Sequence, residues 1–324
     1  MDAGFAVGVS SGSSAIELSL RDAGVSNSKQ EVLTSALTAP FTAVSIAAAG
    51  ATPRFADIDP DTLQMDVEDS ARRIGKATAA LLPVHLYGQP CRIGRFAELA
   101  RSAKLKLVQD ACQAHGARFE GRALTDFGDY VTYSFYPTKN LGCLGDGGAI
   151  VTNKAGVAKR LRQMRDGGRG TGGLPRNQIA YTKGINARLD ELQAGFLNAF
   201  LPRLEEWNAA RRRLALIYDE MLAGVRGVGL VKRYPCSVCH LYVIRAAKRD
   251  KLREALTTQG IGTGIHYPVP LHLHPAFADS RLKRGGLPHA ERAAKEILSL
   301  PLWPQLSEDN VGEVAEAVIR FYGS

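Results

Sequence analysis

The chain has 324 residues, of which 45% are apolar, 23% charged and 7% aromatic, with a formal net charge of +9. That profile describes a folded globular chain, long enough for one large and one smaller domain, and it excludes a disordered or fibrous protein. The positive balance favours anionic small molecules over nucleic acid: basic residues are scattered, the densest cluster is Arg211, Arg212 and Arg213, and no aromatics interleave there.

The start, Met1-Asp2-Ala3-Gly4-Phe5, lacks the basic and then apolar regions of a secretory leader. The alanine-rich stretch Ala43–Ala51 is too short to span a bilayer, so no membrane segment is expected. Five scattered cysteines (Cys91, Cys112, Cys143, Cys236, Cys239) do not make a disulfide framework. A cytoplasmic location is the expectation.

In chain order, Val7–Val9 reads as a strand and Ser14–Ala23 as a helix, followed by strand Glu31–Thr34 and an alanine-rich helix ending near Gly50. Strand Thr52–Ile58, helix Glu68–Ile74, strand Ala80–Leu86, helix Ile93–Ala103 and strand Leu105–Ala111 follow. Tyr130–Phe135 and Ala149–Thr152 are further strands, and Ala155–Met164 a helix. This alternation predicts an α/β fold with a mainly parallel sheet covered on both faces. From Arg188 the pattern changes: Leu189, Leu192, Phe196, Leu197 and Phe200 recur at helical spacing, and a second helix covers Leu204–Leu222. Then come His240–Ile244, Arg249–Gln259, a Pro/His-rich loop His266–Pro275 and a closing helix Asp309–Phe321. The expected division is a large domain over 1–205 and a small domain over 206–324.

Ligands of open α/β sheets sit outside the carboxyl ends of the strands, so chemistry is sought there. Ser10-Ser11-Gly12-Ser13-Ser14 joins a strand to a helix N-terminus, where free N–H groups and hydroxyls suit a phosphate, although serines also cap helices for structural reasons alone. Asp110 ends a buried strand, where a carboxylate needs a cation or hydrogen-bond donors; a helix cap is the plainer alternative. Lys139 follows another strand and leads into the glycines of Gly142–Gly148, which makes it a candidate for imine formation, against the common alternative of a solvated surface charge.

Five segments occur in order: SSGSSA at 10–15, VQDACQAHGA at 108–117, SFYPTKNLG with GDGGAIVTN at 134–153, GINARLDELQAGFL at 184–197 and IHYPVPLH at 265–272. Together they resemble the DegT–StrS family of pyridoxal-phosphate (PLP)-dependent sugar aminotransferases, over almost the whole chain. The resemblance implies the three-layer αβα PLP-transferase fold, with a mainly parallel mixed sheet and a smaller C-terminal α+β domain. It also implies roles. Lys139 would carry pyridoxal 5'-phosphate as a Schiff base, Asp110 would pair with its ring nitrogen, and Gln113 would reach its 3-oxygen. Gly12, Ser13, Ser14 and Ser134 would hold the phosphate. Asn186 matches a position that reaches the cofactor of a neighbouring subunit, which implies a homodimer with shared active sites. The expected reaction moves an amino group from L-glutamate to a nucleotide-linked keto-sugar. Relatives with histidine at the lysine position act as dehydratases, so lysine favours transamination. The alternatives are other PLP chemistry, such as a dehydratase or an amino-shikimate-type synthase, and a non-catalytic regulatory homologue.

The chain departs from that pattern twice. Relatives usually carry a few dozen residues before the Ser-Ser-Gly turn, where nine stand here, and a shortened start is expected to affect substrate affinity and dimer packing. They also place an aromatic directly after the threonine that Thr38 matches, where Ala39 stands; Phe41 is the candidate to stack on the cofactor, or else a core residue. His85, Arg188, His266 and Tyr267 are candidate substrate contacts, each with a plainer structural alternative; for Arg188 that is pairing with Asp190 or Glu191. Cys236-x-x-Cys239 followed by His240 lacks a second ligand pair, so no metal is expected. Gly168-x-Gly170-x-x-Gly173 follows a helix, not a strand, and reads as a loop.

Overall fold

The computed structural model describes residues 3–170, 175–277 and 282–323; Gly173 of the glycine motif lies outside them. The strands are β1 (Phe5–Val9), β2 (Glu31–Ser35), β3 (Thr52–Ala56), β4 (Thr78–Leu82), β5 (Lys106–Asp110), the short pair β6 (Arg118–Phe119) and β7 (Arg122–Ala123), β8 (Tyr130–Ser134), β9 (Gly148–Thr152), β10 (Val228–Leu230), β11 (Tyr242–Ala246) and β12 (Ile297–Leu300). The helices are α1 (Gly12–Asp22), α2 (Pro40–Ala48), α3 (Val67–Arg73), α4 (Ile93–Ser102), α5 (Ala155–Met164), α6 (Glu191–Phe200), α7 (Leu204–Leu222), α8 (Arg249–Thr258), α9 (Pro288–Glu296) and α10 (Glu308–Gly323). No described helix is long and apolar enough to cross a membrane.

Seven strands form one sheet in the order β1-β9-β8-β5-β4-β2-β3. The pairs from β8 to β3 are parallel, and β9 runs antiparallel to both β8 and β1. The period-2 alternation of strand side chains builds two cores. Val32, Ala80, Leu82, Val108 and Ile150 face α1, α2 and α5, whereas Leu33, Leu81, Leu107, Val131 and Val151 face α4 and the end of α6. The mainly parallel sheet with helices on both faces is the architecture expected from the alternating pattern.

A second, antiparallel sheet, β10-β11-β12, packs with α7, α8 and α10 around Leu214, Tyr218, Tyr242, Leu252, Leu298 and Val314. Two of its strands went unread in the sequence: β10 is three residues long, and β12 follows α9 with no turn between them.

Several boundaries differ from the sequence reading for local reasons. The expected strand over Ala80–Leu86 stops at Leu82 because Pro83 has no N–H for the ladder; Val84 makes only an isolated bridge to Asp110. Helix α1 starts at Gly12, since the Ser11 side chain caps it by accepting from the Ser14 N–H at 3.0 Å. Strand β3 ends at Ala56, and Ile58 bridges Met65 instead.

Helix α4 buries Ile93, Phe96 and Ala100 on one face. Phe96 is 0% exposed, so Phe96→Ala should cost about 3–5 kcal/mol. Urea unfolding followed by circular dichroism checks this; an unchanged midpoint would mean that the α4 face tolerates the cavity.

Candidate active site

Because β9 is antiparallel to both neighbours, β1 points the same way as β8, β5, β4 and β2. Their carboxyl ends therefore share one edge, carrying Ser10–Ser14, Ser134, Asp110, His85 and Thr38.

The serine turn is tightly built. Ser14 Oγ lies 2.9 Å from Ser10 Oγ and 3.0 Å from Ser11 Oγ. Gly12 is buried, and a Cβ added there would lie 2.7 Å from Ser134 Cβ and 2.8 Å from Cys112 Sγ, so only glycine lets the turn sit on the ends of β8 and β5. Hydroxyls, leading N–H groups and the positive end of the α1 dipole meet here, which suits a phosphate dianion.

Asp110 is 5% exposed. One carboxylate oxygen accepts from Thr42 Oγ1 at 2.9 Å, the other from the Cys112 N–H at 3.1 Å. Both donors are neutral, so this buried carboxylate is set to meet a cation. Gln113 is held from behind: its Oε1 accepts from the Tyr87 N–H at 2.7 Å, and its Nε2 donates to the Tyr267 hydroxyl at 3.2 Å. Lys139 is half-buried. Burial pushes its ammonium below the usual range, against the opposing charge of Asp110.

Lys139, Gln113, His266 and Tyr267 line one cavity of about 680 Å³, together with Trp207, Arg211, His240 and Leu302–Gln305. Tyr267 is pushed up to about 12, mainly by burial, and remains a neutral hydroxyl at physiological pH. His266 Nδ1 is 2.9 Å from Ser299 Oγ, and the Tyr87 hydroxyl donates to the His266 carbonyl. Neither the serine turn nor Asp110 lines this cavity, but Asp110 is near enough to Lys139 to favour its ammonium.

Four candidates are not among the residues that line this cavity. His85 is 0% exposed, with Nδ1 accepting from the Cys91 N–H at 3.1 Å and Nε2 3.2 Å from Gln109 Oε1; both ring nitrogens are used in the interior, not in the cavity. Phe41 is 67% exposed at the start of α2, which overturns the core alternative and leaves it outside the cavity lining. Asn186 is exposed. Arg188 is also exposed and pairs with Asp166 at 2.9 Å, not with Asp190 or Glu191.

Other site residues were not singled out from the sequence. Thr42, one turn into α2, orients Asp110. Asn140, next to Lys139, donates to Asn208 Oδ1 at 2.8 Å and to the Val238 carbonyl at 2.9 Å, and its Oδ1 lies 2.9 Å from His240 Nδ1. Tyr87 and Gly88 form a turn whose carbonyls accept from the His240 and Val238 N–H groups. Gly88 has φ +90, and a Cβ there would stand 2.7 Å from the His240 nitrogen. The available signals were the i, i+4 pair Trp207 and Arg211, and His240 beside the cysteine pair. Cys236 and Cys239 themselves are free thiols.

The DegT/DnrJ/EryC1/StrS aminotransferase family profile matches residues 1–319. Among curated proteins, the chain is 42% identical to a "Pleiotropic regulatory protein" of Geobacillus stearothermophilus over 98% of this chain and 84% of that one. It is also 42% identical to a "dTDP-3-amino-3,4,6-trideoxy-alpha-D-glucose transaminase" of Streptomyces venezuelae, over 97% and 82%. Among solved structures, S. venezuelae DesV in complex with a ketimine intermediate superposes with a TM-score of 0.94 at 41% identity, covering 100% of this chain and 86% of that one.

The buried imidazole of His85 yields a pH prediction. Burial holds it down to about 4, against an ordinary value of 6.5, while Gln109 and Asp110 oppose the shift. Between those values the unfolded chain binds the extra proton, so the stabilisation is full above pH 6.5 and lost as pH falls towards 4. The loss is about 3 kcal/mol at most. Urea midpoints across this window should fall, and fall less steeply in His85→Asn; parallel slopes in the two proteins would rule His85 out as the source.

Proposed function

This chain belongs to the DegT/DnrJ/EryC1/StrS aminotransferase family and is an aminotransferase, and we propose that it moves an amino group from L-glutamate to a keto-sugar carried on a nucleotide, using pyridoxal 5'-phosphate held by Lys139. One observation carries the reading. Lys139, the buried Asp110, Gln113 and the serine turn lie along one sheet edge, each in a chemical setting that suits a different part of that cofactor.

The residues present fit the group. The Ser10–Ser14 turn and Ser134 would bind the phosphate, Asp110 would accept from a protonated ring nitrogen, and the Gln113 amide would face the ring oxygen. Pyridoxal phosphate, when bound, supplies an electron sink for a carbon that loses its proton. The protein supplies the rest. Thr42 and the Cys112 N–H keep the Asp110 carboxylate oriented. Burial makes the Lys139 amine easier to deprotonate, so it is suited to take a proton from the amino donor and return one to the acceptor carbon. His266 and Tyr267 line the same cavity as Lys139, where they would orient the sugar.

The nucleotide-sugar substrate is supported by relatives of this kind, among them a "UDP-N-acetyl-3-dehydro-alpha-D-glucosamine 3-aminotranferase" of Acidithiobacillus ferrooxidans at 36% identity over 97% of this chain. A homodimer with shared sites is the matching assembly. Phe41 and Val44 of α2 and Leu192 of α6 are large apolar side chains left exposed, with Asn186 also at the surface, as expected of faces that a second copy covers.

The test is an absorption spectrum of the purified protein with pyridoxal phosphate, before and after L-glutamate. A visible band that shifts to shorter wavelength with glutamate and is absent in Lys139→Ala is the expected result. Turnover of a nucleotide keto-sugar should fall about 10²- to 10⁴-fold or more in that variant. A folded protein that forms no band would instead support a regulatory homologue. In Asp110→Asn, the band should form while the glutamate-driven shift slows by at least about tenfold, as measured by stopped flow.

A further inference from the structure

Part of the wall of the cavity that Lys139 lines has a chemistry that the proposed reaction has not yet used. Arg211 and Trp207 lie four residues apart on α7, hence on one face of the helix, and both line the cavity. Arg211 is 6% exposed. Its Nη1 donates to the carbonyls of Leu302 at 2.9 Å and His240 at 3.2 Å, which fixes the guanidinium in place. Among the described residues, neither its buried Nε nor the buried Trp207 indole N–H has a hydrogen-bond partner. The ring of Trp207 is itself held between Phe200, edge-on at 5.9 Å, and the Arg203 guanidinium at 5.4 Å.

The cavity is electrostatically one-sided. Among the described residues its lining includes two cations, Lys139 and Arg211, and no aspartate or glutamate. A buried guanidinium bonded only to neutral carbonyls is costly unless an anion meets it. Burial accordingly pulls Arg211 down to about 10.

We infer that Arg211, assisted by the Trp207 N–H, is the receptor for a carboxylate of the amino donor. This rests on the transaminase reading above, and adds which residue distinguishes the donor from other amines. The guanidinium fork matches a carboxylate in shape and charge. With Nη1 committed to two carbonyls, Arg211 has one remaining edge, enough for one carboxylate; a diphosphate carries more charge and needs more donors. Lys139 is occupied by the chemistry, so charge recognition in the cavity falls to Arg211, a positioning residue.

Glutarate, a dicarboxylate without an amine, is the probe, titrated calorimetrically into the protein with and without pyridoxal phosphate, alongside thymidine diphosphate. In Arg211→Gln the affinity for glutarate should fall about 10- to 100-fold, as expected for a lost charged hydrogen bond, with thymidine diphosphate unaffected. Trp207→Phe should weaken glutarate severalfold. In steady state, KM for L-glutamate should rise while KM for the keto-sugar holds. Glutarate affinity unchanged in folded Arg211→Gln overturns the assignment, as does an equal loss for thymidine diphosphate, which would make the guanidinium a phosphate contact. Should Arg211→Gln not fold, Arg211→Lys and Trp207→Phe decide, and unchanged glutarate affinity in both overturns it. Because glutarate binding is read without the cofactor, a parent protein that binds glutarate but forms no visible band with pyridoxal phosphate would sink the functional reading and not this one.

Discussion

A single buried carboxylate organises this molecule. Asp110 lies at the end of β5, 5% exposed, and its side-chain contacts are a threonine hydroxyl and one backbone N–H. Leaving a charge there costs several kcal/mol unless a cation or further donors compensate. The surrounding elements are placed so that this charge is presented, not neutralised. Helix α2 enters with Pro40 in its first turn and brings Thr42 onto one oxygen, while the Asp110 main chain bridges to the segment after β4, donating to the Pro83 carbonyl and accepting from the His85 N–H. The reversed strand β9 allows β1 to deliver its serine turn to the same edge, and the buried Gly12 lets that turn close onto Ser134 and Cys112.

The Lys139 loop depends on a second set of constraints. Asn140 donates through its nitrogen to Asn208 and Val238, so its oxygen is left to accept from His240 Nδ1. His240 is thereby the Nδ1–H tautomer, with burial and the nearby positive charges of Lys139 and Arg211 keeping it neutral. Asn208 donates in turn to the His115 carbonyl, three residues past Cys112. One run of side-chain amides thus connects the segment after Asp110, the segment after Lys139 and the approach to β11. The Lys139 loop is thus tied to the chain beyond Arg203, which also supplies much of the cavity wall.

The sequence was most legible where chemistry and strand ends coincide. Asp110, Lys139 and the serine turn each follow an apolar run, and strand-end logic alone directs attention to them. The parallel sheet was equally readable, because its strands alternate with amphipathic helices. The rest of the cavity wall was opaque. Arg211 sits in a run of three arginines, and composition treats such a run as solvated surface; only the angle of α7 turns the first of them inward while Arg212 and Arg213 pair with Glu205 and Glu308. His85 misled in the opposite sense. It stands three residues past the end of β4, where Pro83 has already stopped the ladder, and the chain folds the ring back onto Gln109 and Cys91. Phe41 was read either as a stacking ring or as core, and helix α2 instead presents it to the outside while turning Thr42, its neighbour, towards Asp110.

These features together fix the charge state of the site. Burial of the Lys139 amine disfavours the ammonium and the nearby Asp110 carboxylate favours it; burial prevails. The imidazoles of His240 and His266 are held neutral by burial and by the same nearby cation. A proton arriving in the cavity therefore has few basic groups to occupy other than the Lys139 amine. Arg211 cannot take part in that exchange, since a guanidinium does not release its proton under working conditions. The cavity thus separates its two positive groups by role: one is poised to lose and regain a proton, and the other is a permanent charge fixed by two carbonyls. A molecule that satisfies both must carry a transferable proton at one end and a permanent negative charge at the other, as an amino acid does.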